Sequence, residues 1–350
     1  MPLAAAPFIE QLAAVGALAP SADNSQPWRL CWSGQQLSLH YAARHTGTNV
    51  FTAFSHATLL GVGALAENLD MALAANQVRG TWQWQTARGD TYGSVTLDHI
   101  PDQFTAPPGP RARHTNRLPF GSTPLAPALA VALARLSAGD NRLTILQDSG
   151  PRKALVDLVR MASEARFCDQ ALHAWLFGSL RYSPAQIASG DGLDIHSLGL
   201  PPGGRALMAI MADWQRMRAL NRLGAYKLLA RAETGLIGAA PALICLTGPA
   251  SDRAVIDAGR LLNRLWTELN LQGLAVQPYY VVSDQLNRLH DGSLAAGFEQ
   301  AMTTVERRLQ SLLALKDGEQ LHMILRVGPP RQAPRRSLRL PLAATCGPAS

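Results

Sequence analysis

Lysine is nearly missing from this 350-residue chain, so its 32 basic residues are almost all arginine. Charge of either sign is sparse. Charged residues make up 16%, against about 25% in a typical soluble domain. Apolar residues reach 47%, which excludes global disorder, collagen and coiled coil and points to a sizeable buried core. No apolar run approaches the roughly 20 residues of a membrane helix. The long uncharged stretches are Ala- and Gly-rich and broken by polar residues.

Cysteine is scarce too. Cys31, Cys168, Cys245 and Cys346 stand far apart, which excludes both a disulfide scaffold and a metal knuckle. The nine histidines are dispersed, with no HExxH, and no metal site is expected. No GxGxxG fingerprint is present. The segment Met1 to Glu10 lacks a basic start and is interrupted by Glu10. It reads as an amphipathic helix from about Pro7 to Leu18, not as a signal peptide, and the expectation is a reduced, cytoplasmic protein.

What is present is positive charge. The net charge is +7 and the pI about 9.6. Such a balance suits an anionic partner, though arginine scattered over the surface explains the sum equally well. Nucleic-acid binding is not expected, because no element interleaves basic and aromatic residues.

Periodicity predicts a hairpin over Trp28 to Tyr41, a helix from about His56 to Gln77 and paired strands over Trp82 to Leu97. Pro101 to Pro110 reads as a stiff extended linker. Beyond it lie a helix over 125 to 137, a strand at Leu143 to Leu146 and helices over 151 to 180. Helices from Arg205 to about Arg231 follow, then a strand Ala240 to Leu246, a helix Arg253 to Gln272, and strands Ala275 to Val282 and Met323 to Val327. Residues 183 to 204 are dense in Gly and Pro, with Pro201 among them. That stretch is too long for an ordinary loop and reads as a lid or excursion. Gly63, Leu65, Leu69 and Leu73 match Gly259, Leu261, Leu265 and Leu269 at one constant offset. The match suggests an internal repeat, although any two amphipathic Leu helices align comparably.

Four segments carry candidate chemistry. Pro20-Ser-Ala-Asp-Asn-Ser-Gln-Pro-Trp28 sets hydrogen-bonding groups on a turn before a strand, which suits a planar heteroaromatic ligand. A turn that merely caps the strand explains the same residues. Arg113-His-Thr-Asn-Arg117 places a hydroxyl between two guanidinium groups, a fit for phosphate and sugar hydroxyls or else a solvated basic loop. Gly273-Leu-Ala-Val-Gln-Pro-Tyr279 follows a helix, and Arg335-Arg-Ser-Leu-Arg339 comes after Gly328-Pro-Pro330 in what reads as a Pro/Arg-rich tail.

Together these segments resemble the FMN-dependent nitroreductase superfamily over nearly the whole chain, least clearly over 150 to 235. The first is similar to its Pro-Ser-x-x-Asn-x-Gln-Pro-Trp signature. The second is similar to its Arg-x-Ser-x-Lys/Arg element, with Thr for Ser. The resemblance implies that Ser21, Ala22 and Asn24 contact the isoalloxazine and ribityl chain, with Gln26 and Trp28 mainly structural. It implies that Arg113, Thr115 and Arg117 grip phosphate and ribityl, with His114 beside them. It sets Pro278, Tyr279 and Tyr280 against the flavin N5 side, where Tyr-Tyr departs from the usual Glu-Gly. Arg335, Arg336 and Arg339 are the candidates to close on the phosphate.

The order of the motifs resembles the tandem branch of the superfamily. The implied fold is α+β: two half-related α/β units with antiparallel-rich central sheets flanked by helices, forming an intrachain pseudo-dimer. The halves would be 1–106 and 111–350, the second carrying the insertion at about 183–204. The implied function is FMN-dependent hydride transfer from NAD(P)H to a small organic acceptor, with no catalytic side chain required. Alternatives are a flavin-sequestering protein with little turnover and a biosynthetic flavin-dependent dehydrogenase or oxidase. The expected partners are NAD(P)H and a small-molecule substrate, without nucleic acid or membrane, in a monomeric pseudo-dimer or a homodimer.

Overall fold

The computed structural model describes residues 7–42, 50–200 and 202–348; Pro201 of the expected excursion lies outside them. The chain opens with α1 (Pro7–Gly16), the hairpin β1 (Trp28–Ser33) and β2 (Gln36–Tyr41), and the long helix α2 (His56–Ala75). Strands β3 (Gly80–Trp84) and β4 (Thr91–Leu97) and a short α3 (Pro108–Ala112) follow. Then come α4 (Pro127–Ala134), β5 (Arg142–Leu146), α5 (Ser149–Phe167) and α6 (Gln170–Ser179). Strand β6 (Leu180–Arg181) leads into the excursion, which holds α7 (Pro184–Ala188) and β7 (Leu193–Asp194). Helices α8 (Gly204–Met211), α9 (Trp214–Arg222) and α10 (Ala225–Gly238) lead to β8 (Ala242–Pro249), α11 (Asp252–Leu271) and β9 (Ala275–Tyr279). The chain closes with α12 (Val281–Asp291), α13 (Glu299–Leu313), β10 (Glu319–Gly328), α14 (Leu342–Thr345) and β11 (Cys346–Pro348).

The fold is α+β with two antiparallel-rich sheets. The first has the order β11-β1-β2-β4-β3 and the second β5-β8-β10-β9. Without β11, both sheets share one pattern: first, second, fourth and third strand in chain order, all antiparallel neighbours. In each, a 20-residue helix links the second strand to the third: α2 in one, α11 in the other. The second unit differs by what is inserted, α5 to α10 after its first strand and α12 and α13 after its third.

Helices α2 and α11 pack against each other, and their contacts are reciprocal. A Cβ on Gly63 would collide with the carbonyl of Ile256, and a Cβ on Gly259 would collide with the carbonyl of Leu60. The offset that carries Leu60 to Ile256 also carries Gly63 to Gly259. The polar contacts obey it as well: Asn263 donates to Asn68 at 2.7 Å, and its counterpart is the Arg264–Glu67 ion pair at 2.8 Å. Reciprocity of this kind marks a two-fold contact between like surfaces. Around the crossing one apolar cluster runs from Leu30, Leu39 and Val95 of the first sheet through Leu65 and Leu261 to Ile244 and Leu325 of the second. A second cluster packs the other face of that sheet, through Leu243 and Ile324, onto α5, α12 and α13.

Four expectations need correction. The linker 101–110 does not stay extended to its end, because Pro108 begins α3. Proline has a preset φ and lacks an N–H that a first helical turn cannot use. The strand expected over Ala275 to Val282 stops at Tyr279, and Val281, Val282 and Leu286 become the buried face of α12. Burial at helical spacing there overrides the β-propensity of valine. The terminal segment is not only a tail, since β11 pairs in parallel with β1 at Leu30 and Cys346. Finally, α2 is long and apolar enough by length and composition to cross a membrane, but 83% of that window is buried inside the fold as a core helix.

In an exposed helix, Gly→Ala adds up to about 1 kcal/mol of stability. Here we expect the reverse. Gly63→Ala should cost at least about 1–3 kcal/mol, the usual cost of overpacking, measured by urea unfolding. Gly259→Ala should behave alike, and stability at or above wild type in both would show that the helices are not in contact there.

Candidate functional site

The turn after α1 has an unusual backbone. Asp23, Asn24 and Gln26 have φ of 46°, 58° and 50°, a region that costs non-glycine residues of order ~1 kcal/mol each. They hold because the surroundings fix them. Ser21 Oγ accepts from the Gln26 N–H at 2.9 Å. The Asn24 amide donates to the carbonyls of Gly190 and Gly192 at 3.2 and 3.1 Å and to Leu338 at 3.1 Å. Gln26, fully buried, donates to the Gly190 carbonyl and accepts from the Leu340 N–H, both at 3.0 Å. One turn thus ties together the excursion and the chain's last segment.

The stretch 113–117 runs extended past this turn. Asn116 is buried, its N–H bonded to the Val276 carbonyl at 2.8 Å and its side chain to Gln332. Alternation along an extended chain then sends Arg113, Thr115 and Arg117 the other way, into a cleft. The buried Arg326 clamps the stretch from behind, donating to the Leu118 carbonyl at 2.6 Å and lying 3.7 Å from the centre of the Phe120 ring.

The cleft has a basic end. Arg113 and Arg339 both donate to the Leu18 carbonyl, at 2.7 and 3.0 Å. Arg113 lies over the Trp266 ring, and Arg339 also donates to Asn24 Oδ1 at 3.0 Å. The Nε of each is buried without a partner. Arg336 joins them from above, donating to the carbonyls of Arg111 and Ala112. Among the described residues none of the three forms an ion pair. Burial lowers the pKa of Arg113 well below its ordinary value, helped by the repulsion of Arg339 and Arg336; burial lowers Arg339 to about 10. Burial, together with Arg336 and Arg113, also lowers His114, whose ring contacts the Ala112 carbonyl at 2.7 Å. Cations without an ion-pair partner gathered at one point, Arg113 among them buried, suit an anion. Arg335 stands apart, exposed and 3.7 Å from Asp194.

The other end is mixed in sign and aromatic. Arg117 makes no hydrogen bond among the described residues, and its charge is felt by Asp23 and Tyr279. Asp23 accepts from the Trp175 indole at 2.8 Å. Burial raises its pKa, opposed by that hydrogen bond and by Arg117 and Arg166. Arg166 pairs with Glu233 at 2.9 Å. Phe51 meets Trp175 edge-on at 5.3 Å, and Leu172, Leu193, Leu198 and Leu200 complete an apolar wall.

Beside this wall stand Tyr280, His56 and His322. The Tyr280 hydroxyl lies 3.0 Å from His56 Nδ1, and His56 Nε2 lies 2.9 Å from His322 Nδ1. The three rings stack within 12°. Burial lowers the pKa of His322 to about 4. Burial and its neighbour also lower that of His56 well below its usual value, so both rings are neutral near pH 7.

All thirteen residues singled out in the sequence — Ser21, Ala22, Asn24, Arg113, His114, Thr115, Arg117, Pro278, Tyr279, Tyr280, Arg335, Arg336 and Arg339 — line this one cleft of about 1080 Å³. The structure distinguishes among them. The Asn24 side chain is spent on backbone carbonyls, and the two arginines of the 113–117 motif serve different ends of the cleft. Sequence reasoning missed Asp23, Trp175, Arg166, Glu233 and the His56–His322 pair. Asp23 lay within a recognised motif. The others come from α2, α5, α6, α10 and β10, where no local pattern marks them.

No family model matches the chain. Over 174 residues, 45% of this chain, it is 27% identical to the Mycobacterium tuberculosis protein "Putative NAD(P)H nitroreductase acg", in strains CDC 1551 / Oshkosh and H37Rv. That match spans 50% of the relatives' own length. Among solved structures, the FMN and NADPH-dependent nitroreductase NfnB from sphigopyxis sp. strain HMH aligns with a TM-score of 0.37 and 16% identity, covering 69% of this chain and 98% of that one. A nitroreductase with bound FMN from Bacteroides fragilis NCTC 9343 aligns with a TM-score of 0.35 and 10% identity, covering 67% and 93%.

The neutral histidine pair gives the site a pH signature. In the unfolded chain both rings bind a proton below about pH 6.5, while in the fold they resist it, His322 down to about 4. Their stabilising contribution is therefore complete above pH 6.5 and lost as pH falls from there towards 4. We expect urea unfolding to show a loss on the order of 2 kcal/mol from His322 between pH 7 and 5, with His56 adding to it in the same direction. His322→Asn should flatten that slope, and an equally steep slope in the variant would contradict the assignment.

Proposed function

We propose that this protein is an FMN-dependent, nitroreductase-like oxidoreductase that uses NAD(P)H to reduce a small organic acceptor in the cytoplasm. The observation that carries the reading is the basic end of the cleft. Arg113 and Arg339 share one carbonyl, bury an unpartnered Nε each and have no ion-pair partner among the described residues. A phosphate monoester fits that donor set. A cleft of about 1080 Å³ with one basic end and one aromatic end suits a flat, phosphate-bearing cofactor with a second molecule beside it.

In this reading Arg113 and Arg339 hold the phosphate, and Arg336 fixes the rim they emerge from. Thr115 and Arg117 face the ribityl and ring, as do Ser21 and Ala22 of the turn. Pro278, Tyr279 and Tyr280 wall the ring. When bound, FMN would supply the redox chemistry that joins a nicotinamide to the acceptor. The chain orients both partners, keeps water out with Phe51, Trp175 and the leucine wall, and needs no titrating side chain for hydride transfer. Ser21 and Arg113 come from one chain, which favours a tandem pseudo-dimer of related halves, 1–106 and 111–350, as does the reciprocal crossing of α2 and α11. A flavin-sequestering role is a second reading, favoured by the excursion bound over the turn at Gly190 and Gly192.

Chromatography of the cofactor released on denaturation tests the proposal. We expect FMN, one per chain, and NAD(P)H should bleach the flavin band under anaerobic conditions. Arg113→Ala should weaken FMN binding by about 1.5–3 kcal/mol, the range for a charge-assisted hydrogen bond. FAD, no flavin, or unchanged affinity in that variant would each count against it. Flavin that binds but resists bleaching would favour the sequestering role.

A further inference from the structure

The turn that carries Asn24 does more than border the cleft. On one side Asn24 Oδ1 accepts from Arg339, which stands at the basic end. On the other its amide nitrogen donates to Gly190 and Gly192 of the excursion and to Leu338 beside Arg339. Gln26 repeats the connection, with Gly190 at one end of its amide and Leu340 at the other. The excursion is braced as a unit by the two-pronged Arg181–Asp191 pair, at 3.0 and 2.8 Å. It approaches the terminal segment so closely that a Cβ on Gly190 would collide with the Arg339 carbonyl, and Gly190 has a φ of 84°.

We propose that Asn24 is a latch that couples phosphate occupancy at Arg113 and Arg339 to closure of the 180–199 excursion over the cleft. The inference rests on the phosphate-bearing cofactor assigned to this cleft above. Arg339 is held near Arg113, a like charge, by the shared Leu18 carbonyl and by Asn24 Oδ1. A dianionic phosphate turns that repulsion into a bridge and fixes the Arg339 side chain. Fixing it fixes the orientation of the Asn24 amide, because only one of its two ends is an acceptor. Polarisation along such a chain strengthens the donors at the far end. With the phosphate absent, the repulsion between Arg339 and Arg113 is uncompensated, the Arg339–Asn24 bond weakens, and with it the bonds to Gly190 and Gly192. Linkage makes the effect reciprocal: whatever phosphate adds to closure, closure adds to phosphate affinity.

Hydrogen–deuterium exchange over residues 184–199 tests this on the full chain. It would be read without ligand, with FMN, with riboflavin, which has the ring but no phosphate, and with inorganic phosphate alone. We expect FMN to slow exchange about tenfold, within the usual span of coupling between sites, phosphate to slow it measurably, and riboflavin to leave it nearly unchanged. In Asn24→Ala and in Gly190→Ala, FMN should no longer slow exchange, and its affinity should fall by a similar factor. Both variants keep every arginine side chain, Asn24→Ala without crowding the Arg339 backbone, and circular dichroism checks that each is folded. Equal slowing by bound riboflavin and FMN, or slowing that survives both substitutions, overturns the latch. If FMN does not bind but phosphate still slows exchange, the flavin reading fails and the latch stands. No response to either ligand rejects the latch.

Discussion

Two helices of this protein touch backbone to backbone, and the rest of the architecture is arranged around that contact. Gly63 and Gly259 bring α2 and α11 so near that each lies against the other's carbonyls. Close approach of this kind removes water from both helices at once and leaves room for polar groups only if they pair. They do: Glu67, with Arg260 and Arg264, and Asn68 with Asn263 cross the interface. Each helix belongs to a unit with the same strand order, so fixing the pair fixes both sheets. The cleft forms where parts of both units meet.

That origin explains the mixed character of the cleft. Its wall draws on the turn after α1, on the extended 113–117 stretch, on β9 and on the inserted helices. The insertions α5 and α6 bring Arg166, Leu172 and Trp175, which have no counterpart in the first unit. The basic end depends on the last residues of the chain, anchored when β11 adds to the first sheet. A terminal strand thus does positional work on a site in the middle of the molecule.

Electrostatics give the cleft a direction. Cations without counter-charge cluster at one end, where desolvation makes each of them costly unless an anion arrives. At the other end charges of both signs balance, Arg166 with Glu233 and Arg117 facing Asp23. Between them, aromatic and aliphatic side chains keep the dielectric low, so a bound anion would be held more strongly than at an exposed surface. The neutral His56–His322 pair belongs to this dry region, and its neutrality is a consequence of burial.

Much of this was legible in the sequence, for a physical reason. Periodicity and turn chemistry are local, so α2, α11, the hairpin and the β3–β4 pair could be read from residue spacing. Gly63 and Gly259, matched at one offset in the sequence, meet at the crossing of the two long helices. The short polar segments announced themselves as well, because turns and extended runs confine their functional groups to a few residues. What only the tertiary structure decided is which groups are used up and which are left over. Asn24 looked like a ligand contact, yet its amide is held by carbonyls more than 160 positions away in sequence. Arg335, Arg336 and Arg339 looked equivalent, yet only Arg339, half-buried, shares a carbonyl with Arg113. Partner choice at long range depends on packing, and packing is a property of the whole chain.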